Sequence, residues 1–126
     1  MLGNNEACAV LAVKDMTESL RFYTESLGLT KDKEDPAGTL LKSGNSMILL
    51  YESPENAGTN KATALAWKVD DVAGTIAELK AKGVTFEHYP ELPGVTLEGD
   101  VHVMGPTKAA WFKDPSGNIL NFVSGM

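Results

Sequence analysis

The side chains that could carry acid–base chemistry are few and lie close together in the second half of the chain. Its only two histidines are His88 and His102, and Tyr89 and Glu98 lie between them. Imidazole, phenol and carboxyl groups can each transfer a proton when a site holds them within reach of a substrate. We therefore regard these four residues as candidate general acids or bases. For each histidine, a structural or pocket-lining role at a partly exposed position is the favoured interpretation.

The single cysteine, Cys8, is the other side chain with intrinsic reactivity. A nucleophilic thiol needs a nearby cation or a helix N-terminus, and no adjacent residue supplies one. We predict a buried apolar cysteine, since free cysteine is among the most buried residue types; a nucleophilic or redox role is the alternative. One cysteine also permits no internal disulfide and no cysteine-based zinc site.

The composition limits the classes of partner. The chain has 126 residues, of which 43% are hydrophobic, enough for one compact domain over residues 1–126. Its formal net charge of −6 argues against nucleic acid, because neutralising phosphates requires a basic surface. The apolar stretch from Ala7 to Val13 is too short to cross a membrane. We expect a soluble, cytoplasmic protein with no nucleic-acid or membrane partner.

The elements that would position these side chains occur twice in the sequence. Val13-Lys14-Asp15 and Val69-Asp70-Asp71 each end an apolar run, and apolar positions with helical spacing follow each of them. Equivalent positions lie 56 residues apart: Met16, Leu20 and Tyr23 in the first copy, and Val72, Ile76 and Leu79 in the second. The repeat indicates one supersecondary unit that is used twice, so that a pocket can form between the copies.

Each copy predicts a strand, a helix and three further strands. The helices are expected at Met16 to Leu27 and Val72 to Lys82, where an aspartate can cap the start and a glycine follows the end. The predicted fold class is α+β, with two tandem β-α-β-β-β modules near residues 6–53 and 62–125. The modules are expected to form one curved eight-stranded mixed sheet with the helices on its convex side.

Two segments resemble those of a known family. They are Val-Lys-Asp-Met-Thr-Glu-Ser-Leu-Arg-Phe-Tyr (13–23) with Leu-Gly-Leu (27–29), and Phe-Lys-Asp-Pro-Ser-Gly-Asn-Ile-Leu (112–120). Both look like the vicinal oxygen chelate superfamily, which includes glyoxalase I, extradiol dioxygenases, fosfomycin-resistance enzymes and bleomycin-resistance proteins. The resemblance covers nearly the whole chain and implies this fold and a homodimer, but one scaffold hosts many activities. Asp114-Pro115-Ser116-Gly117 also suits a type I turn, so Asp114 is predicted to be structural.

The resemblance also implies where a metal would bind. Metal-using members take four ligands, one from each of four strands on the concave side of the sheet. The two histidine positions fall on Cys8 and Ala64. The last-strand carboxylate falls on Asn121, and the first-copy carboxylate on Leu50, or on Ile48 if the hairpin register differs. Alanine and leucine offer no donor atom to a divalent ion, so we expect no metal, no cofactor and no glyoxalase I activity.

Without a metal, the implied concave cavity is left for a ligand. Strand alternation and the resemblance together predict a lining of small or apolar side chains, one amide, one ammonium and several aromatic rings. The predicted ligand-binding residues are Cys8, Val10, Leu50, Ala64, Lys68, Tyr89, His102, Trp111 and Asn121. Strand alternation predicts that Trp67 faces the helix. The sequence does not decide which face of the sheet carries Trp111, because the register of its strand is not fixed. The long irregular stretch from Pro90 to Pro106 is interpreted as a lid or binding loop.

These observations predict a metal-independent protein that binds a mostly apolar organic ligand, as bleomycin-resistance proteins bind their drug. The acidic balance favours a neutral or cationic ligand through long-range attraction. The alternative is a metal-free lyase or isomerase that uses the histidine, tyrosine or glutamate side chains named above for acid–base chemistry.

Overall fold

The computed structural model describes residues 1–126, which form two compact units. The first unit comprises Met1–Thr59 and Pro115–Asn118, and the second comprises Asn60–Asp114 and Ile119–Met126. Each unit contains one sheet and one helix of more than a single turn. Neither helix has both the length and the apolar character that a membrane crossing requires.

The first unit has a four-stranded sheet. A short 3₁₀ turn (Leu2–Asn4) precedes strand β1 (Cys8–Val13), helix α1 (Met16–Arg21) with its π-helical continuation (Phe22–Ser26), β2 (Thr30–Asp35), β3 (Gly38–Ser43) and β4 (Ser46–Glu52). The strand order is β1-β4-β3-β2, with β1 parallel to β4 and the other pairs antiparallel. All six residues of the edge strand β2 are exposed, and five of them are charged.

Alternation along the strands of the first unit separates a core face from a helix-free face. Leu11, Leu41 and Leu50 are buried on the face where α1 contacts β4. Their strand neighbours are half-buried or exposed, and Val10 is 57% exposed. Helix α1 begins as predicted, because the Asp15 carboxylate accepts the backbone N–H of Glu18 at 3.0 Å.

The turn Pro115–Asn118 supports the end of β1. Ser116 Oγ accepts the N–H of Lys14 at 2.8 Å, and Asn118 Nδ2 donates to the carbonyl of Ala12 at 2.8 Å. Asn118 Oδ1 also accepts the N–H of Gly58 at 3.1 Å. Both side chains are buried, so this part of the Asp-Pro-Ser-Gly-Asn motif is structural, as the turn interpretation predicts.

The second unit has a six-stranded sheet. Its elements are β5 (Leu65–Lys68), helix α2 (Val72–Ala81), β6 (Phe86–Glu87), β7 (Thr96–Glu98), β8 (Val101–Met104), β9 (Thr107–Lys113) and β10 (Ile119–Ser124). The main strand order is β5-β10-β9-β8-β7, and β6 also pairs with β9. One edge of β9 therefore carries two partners in succession: β8 opposite its first half and β6 opposite its second half.

Aromatic rings fill the core face of the second sheet, on which α2 packs. Phe112 and Phe122 are almost fully buried and lie with Phe86 within 6 Å of one another by ring centroids. Trp67 stacks on Phe112 with centroids 6.4 Å apart, so it faces the helix as predicted. Val72 and Ile76 are the buried residues of α2.

The structure differs from the predicted fold in two respects. It has separate sheets of four and six strands where the sequence predicted one eight-stranded sheet. The stretch Pro90 to Pro106, interpreted as an irregular loop, contains the hairpin β7–β8, in which Glu98 pairs with Val101. The two-residue connection Gly99-Asp100 is a known hairpin turn signal that was sufficient to predict this hairpin.

Candidate functional site

The helix-free face of the second sheet gathers most of the predicted site residues. Asn121 pairs with Trp111 on one side and with Ala66 on the other, and Trp111 pairs with Glu87. Because paired residues point to the same side of a sheet, these four residues form one row across β5, β10, β9 and β6. The row lies on the face opposite Phe112 and Phe122, which settles the register of Trp111 that the sequence left open.

Asn121 lies in the middle of this row and has an unpaired acceptor. Its side chain is 9% exposed, and Oδ1 has no hydrogen-bond partner. Buried polar groups are nearly always hydrogen-bonded, and an unpaired one costs about 1–3 kcal/mol of stability. A ligand group that donates an N–H or O–H to Oδ1 would recover part of this cost.

Trp111 provides a fixed aromatic surface beside Asn121. Its indole Nε1 donates to Thr63 Oγ1 at 3.0 Å. Tyr89 and His102 contact the indole in T-shaped arrangements, with ring centroids 5.7 Å and 4.8 Å away. Trp111 and Tyr89 are both half-buried. Three neighbours therefore hold the orientation of the indole while part of the cluster stays accessible.

His102 is a fully buried structural residue, so its prediction as a partly exposed histidine is wrong. It lies in β8 opposite Ala109, and its side chain has no exposed surface. Nε2 accepts the backbone N–H of Tyr89 at 2.9 Å, which places the ring proton of the neutral imidazole on Nδ1. Burial lowers the pKa of His102, although the carbonyls of Asp100 and Ala109 oppose that shift. A neutral ring that is already engaged through Nε2 is a poor general base.

His88 differs from His102 in that its side chain is partly exposed and paired with a carboxylate. Its side chain is 49% exposed, and Nε2 lies 2.7 Å from Asp100 Oδ1, while Lys80 pairs with Oδ2 of the same carboxylate. These two partners hold the pKa of Asp100 below its usual value. Such a carboxylate can orient the imidazole through this contact.

The remaining acid–base candidates are less well placed. Burial raises the pKa of Tyr89, and the negative charges of Glu87 and Glu91 add to the shift, so Tyr89 stays a neutral phenol. Glu98 is exposed at the end of β7.

Ala64 and Lys68 flank the row at β5. Ala64 directly precedes β5, is half-buried, and donates its N–H to the carbonyl of Ile119 at 2.7 Å. Lys68 is exposed at the end of β5, opposite Val123. Alternation along the chain puts both on the side of Ala66 and Asn121.

Two predictions in the first unit require correction. Cys8 is exposed, because it starts the edge strand β1 on the helix-free face. Leu50 is fully buried on the core face, and the alternative position Ile48 is buried there too. Val10 pairs with Leu49 as Ala66 pairs with Asn121, so the equivalent of Asn121 is Leu49.

A difference in turn length makes the equivalent of Asn121 in the first copy hard to place from the sequence. Two residues separate β3 from β4, whereas five separate β9 from β10. Both turns contain Ser-Gly-Asn, and alignment on that tripeptide gives the alternative position Ile48, which lies three residues after it as Asn121 does. The strand pairing gives Leu49, one residue from each of the two predicted positions. A shift of one residue moves a side chain to the other face of the sheet.

The residues at the expected metal-ligand positions do not fit a divalent ion. Those positions hold Cys8, Leu49, Ala64 and Asn121, which together offer one thiol and one amide. Nowhere in the chain do three histidine, cysteine, aspartate or glutamate side chains converge on a common point. Zinc and related ions take several such donors, so no step of a reaction is assigned to a metal here.

The family model of the glyoxalase/bleomycin resistance protein/dioxygenase superfamily matches residues 7–122. The chain belongs to this superfamily. No curated protein sequence matches this superfamily member significantly.

Several solved structures share the fold of this chain. Fosfomycin resistance protein FosX from Listeria monocytogenes has a TM-score of 0.73 at 15% identity, covering 95% of this chain and 92% of its own. The antibiotic-binding protein TnmS3 from Streptomyces sp. CB03234 has a TM-score of 0.69 at 22% identity, covering 97% and 96%. Lactoylglutathione lyase from Agrobacterium tumefaciens has a TM-score of 0.67 at 18% identity, covering 94% and 91%. At these identities, the likeness establishes the fold alone.

Proposed function

We propose that this superfamily member is a metal-independent binding protein for a mostly apolar organic small molecule. The observation that carries the proposal is the buried Asn121 amide, whose Oδ1 has no partner, beside the fixed indole of Trp111. A ligand that donates an N–H or O–H to Oδ1 and lays a ring on the accessible part of the indole would use both features. The small side chain of Ala66 leaves room on the other side of Asn121.

The superfamily and its solved members support this reading. TnmS3 is an antibiotic-binding protein, and FosX is a fosfomycin resistance protein. Ala64, Lys68 and Tyr89 belong to the proposed binding surface, and Cys8 and Val10 stay predicted ligand contacts in the first unit. His102 contributes by holding Tyr89 and Trp111 in place. The homodimer and the cytoplasmic location implied at the sequence level are part of the same proposal.

A thermal-shift assay tests the proposal. A ligand that binds only the native state raises the melting temperature by mass action. The first compounds are bleomycin, fosfomycin and S-lactoylglutathione, followed by a panel of aromatic metabolites. We expect at least one aromatic compound to stabilise the protein equally with and without EDTA, and Trp111→Leu to lose that shift. A shift that requires added zinc or nickel would contradict metal independence, and a shift that survives Trp111→Leu would contradict the location.

A metal-free lyase or isomerase is the second candidate, and the His88–Asp100 pair is the observation that favours it. His88 is half-exposed and oriented by a carboxylate, as a general base requires. If the protein turns over a ligand found in the screen, His88→Asn should abolish turnover while leaving the thermal shift in place. Turnover that survives this substitution would remove His88 from the mechanism.

A further inference from the structure

We infer that the ligand of the proposed binding surface is an aromatic ammonium ion, with a ring N–H or O–H at one end and the charged group at the other. This inference rests on the proposed function and specifies the class of its ligand. The order of three side chains in one row of the second sheet carries it: Asn121 on β10, Trp111 on β9 and Glu87 on β6. Paired residues point to the same side of a sheet, so one flat molecule can contact all three.

Asn121 determines the chemistry of one end of the ligand. Its side chain is 9% exposed, and Oδ1 is a buried acceptor without a partner. An unpaired acceptor is satisfied by a donor and gains nothing from a carbonyl or carboxylate oxygen. This end of the ligand therefore carries an N–H or O–H group.

Trp111 provides the middle of the site. Three neighbouring side chains hold its indole, so the orientation of the ring is set before a ligand binds. The face of an indole attracts aromatic rings, and it attracts cations more strongly than the other aromatic side chains do. Adjacent strands lie about 4.8 Å apart, so the backbones of Asn121 and Glu87 are about 10 Å apart with Trp111 between them. An aromatic ring with a short side arm spans that interval.

Glu87 places a carboxylate at the other end of the row. Its side chain is 33% exposed, and its ion-pair partner Lys113 lies 3.6 Å away, beyond hydrogen-bond length, with 49% of its side chain exposed. Such a pair contributes about 0–1 kcal/mol, so a ligand ammonium can take the place of Lys113. Lys68, the cation assigned to the proposed binding surface, lies three strand spacings or about 14 Å from Glu87. That separation exceeds the Debye length of about 8 Å at physiological salt, so Lys68 does not neutralise Glu87.

The charges around the aromatic cluster have the same sign as Glu87. The phenol of Tyr89 contacts the indole of Trp111 edge-to-face. Burial raises the pKa of Tyr89, and the negative charges of Glu87 and Glu91 raise it further, so both carboxylates act on the cluster. A ligand that carries a carboxylate would be repelled by these two charges, whereas an ammonium would be attracted by them.

Tryptamine is the probe, because it joins an indole N–H to an ammonium group through a two-carbon arm. Three analogues isolate its groups: tryptophol replaces the ammonium by a hydroxyl, 1-methyltryptamine lacks the ring N–H, and indole-3-propionate carries a negative charge. Binding to the full chain is followed by ¹H–¹⁵N NMR at pH 7 and constant ionic strength. We expect tryptamine to shift the indole N–H signal of Trp111 in a saturable manner and to leave that of Trp67, on the core face, unchanged. Tryptophol and 1-methyltryptamine should each bind about threefold to fivefold more weakly, and indole-3-propionate should bind most weakly.

Variants of the two charged residues separate electrostatics from packing. Glu87→Gln should weaken tryptamine binding about threefold and leave tryptophol binding unchanged. Lys113→Gln should strengthen tryptamine binding about twofold, because the carboxylate then has no competing partner, and a merely structural role would not give this gain. The matched control is Glu78→Gln, which removes one exposed charge from α2, on the opposite side of the sheet, and should change neither affinity.

The possible results distinguish this inference from the proposed function. Equal affinities for tryptamine and tryptophol, tighter binding of indole-3-propionate, or equal losses in Glu87→Gln and Glu78→Gln would overturn the aromatic ammonium while binding at Trp111 stands. Equal affinity for 1-methyltryptamine would overturn the donor end in the same way. No saturable shift with tryptamine would overturn the inference alone, because the thermal-shift screen then decides the function. Tryptamine binding that survives Trp111→Leu would contradict both.

Discussion

Asn121 and Asn118 show how the same residue type acts in opposite ways. Asn118 satisfies two backbone groups, whereas Asn121 has an acceptor that nothing satisfies. Leucine has the same branched arrangement of side-chain heavy atoms as asparagine and no polar atoms. We expect Asn121→Leu to keep or raise the free energy of unfolding, because it removes an unpaired buried acceptor, and to abolish ligand-induced stabilisation. Asn118→Leu should lower the free energy of unfolding by about 1–3 kcal/mol, because it strands buried backbone groups.

Urea unfolding of both variants checks these expectations. The two variants can be compared directly, because each replaces a buried asparagine of the same chain by leucine. Equal destabilisation by the two variants would mean that Asn121 is structural and would remove it from the proposed binding surface.

The buried His102 predicts how stability depends on pH. Burial lowers its folded-state pKa below the ordinary 6.5, so the unfolded chain binds the proton more readily. The contribution of His102 to the free energy of unfolding is therefore complete above pH 6.5. It is lost as the pH falls from 6.5 towards the folded-state pKa. Asp100, whose folded pKa is also lowered, adds a second loss only as the pH falls through its ordinary 3.8.

Urea midpoints measured from pH 8 to pH 5 test this assignment. The wild-type midpoint should fall below pH 6.5, whereas His102→Gln should show a flatter profile because glutamine can accept the Tyr89 N–H without titrating. His88→Gln is the control and should retain the wild-type slope. A slope that disappears in the control and persists in His102→Gln would contradict the role of burial.

At the scale of elements, the start of β5 offers a position where a larger side chain can be added. Ala64 is half-buried on the helix-free side of the second sheet. We expect Ala64→Phe to change the free energy of unfolding by less than about 1 kcal/mol, because the position is only half-buried, and to block the proposed ligand. Ala110→Phe provides the contrast, because Ala110 is fully buried in β9. This substitution should lower the free energy of unfolding by about 1–3 kcal/mol or more.

Chemical denaturation and ligand titration of the two variants give the answer. Gross unfolding of Ala64→Phe would show that this position is packed, and unchanged affinity would show that the ligand lies elsewhere.

Most elements could be predicted from the sequence, because their signals are local. Aspartate caps, helical spacing and glycine stops placed both helices within two residues. The hairpin β7–β8 was missed although its Gly99-Asp100 turn was readable. Site residues that depend on register were harder: Leu50 was misplaced by one residue, and the side taken by Trp111 needed the observed pairing with Asn121. Burial was the least predictable property, as exposed Cys8 and fully buried His102 show, because it depends on what other elements cover.

At the scale of the whole molecule, metal content is the property that most needs to be measured in this member of the superfamily. The purified protein should contain no stoichiometric zinc, nickel or manganese and show no glyoxalase I activity, because the four expected ligand positions hold one thiol, one amide and two side chains without donor atoms. Elemental analysis after dialysis against each ion measures this directly. One tightly held ion per chain, with Cys8 or Asn121 among its ligands, would contradict the expectation.

The exposed edge strand β2 bears on how the protein behaves at high concentration. A sheet edge exposes unpaired backbone groups to which a strand from another molecule can add, and such addition begins fibril growth. In β2, Lys-Asp-Lys-Glu-Asp follows a single threonine, and a register irregularity lies between Lys31 and Lys33. An incoming strand would have to desolvate these charges along a distorted edge. The residues of β2 contribute little to the core, and their selective value on this view is that they keep the folded protein from aggregating.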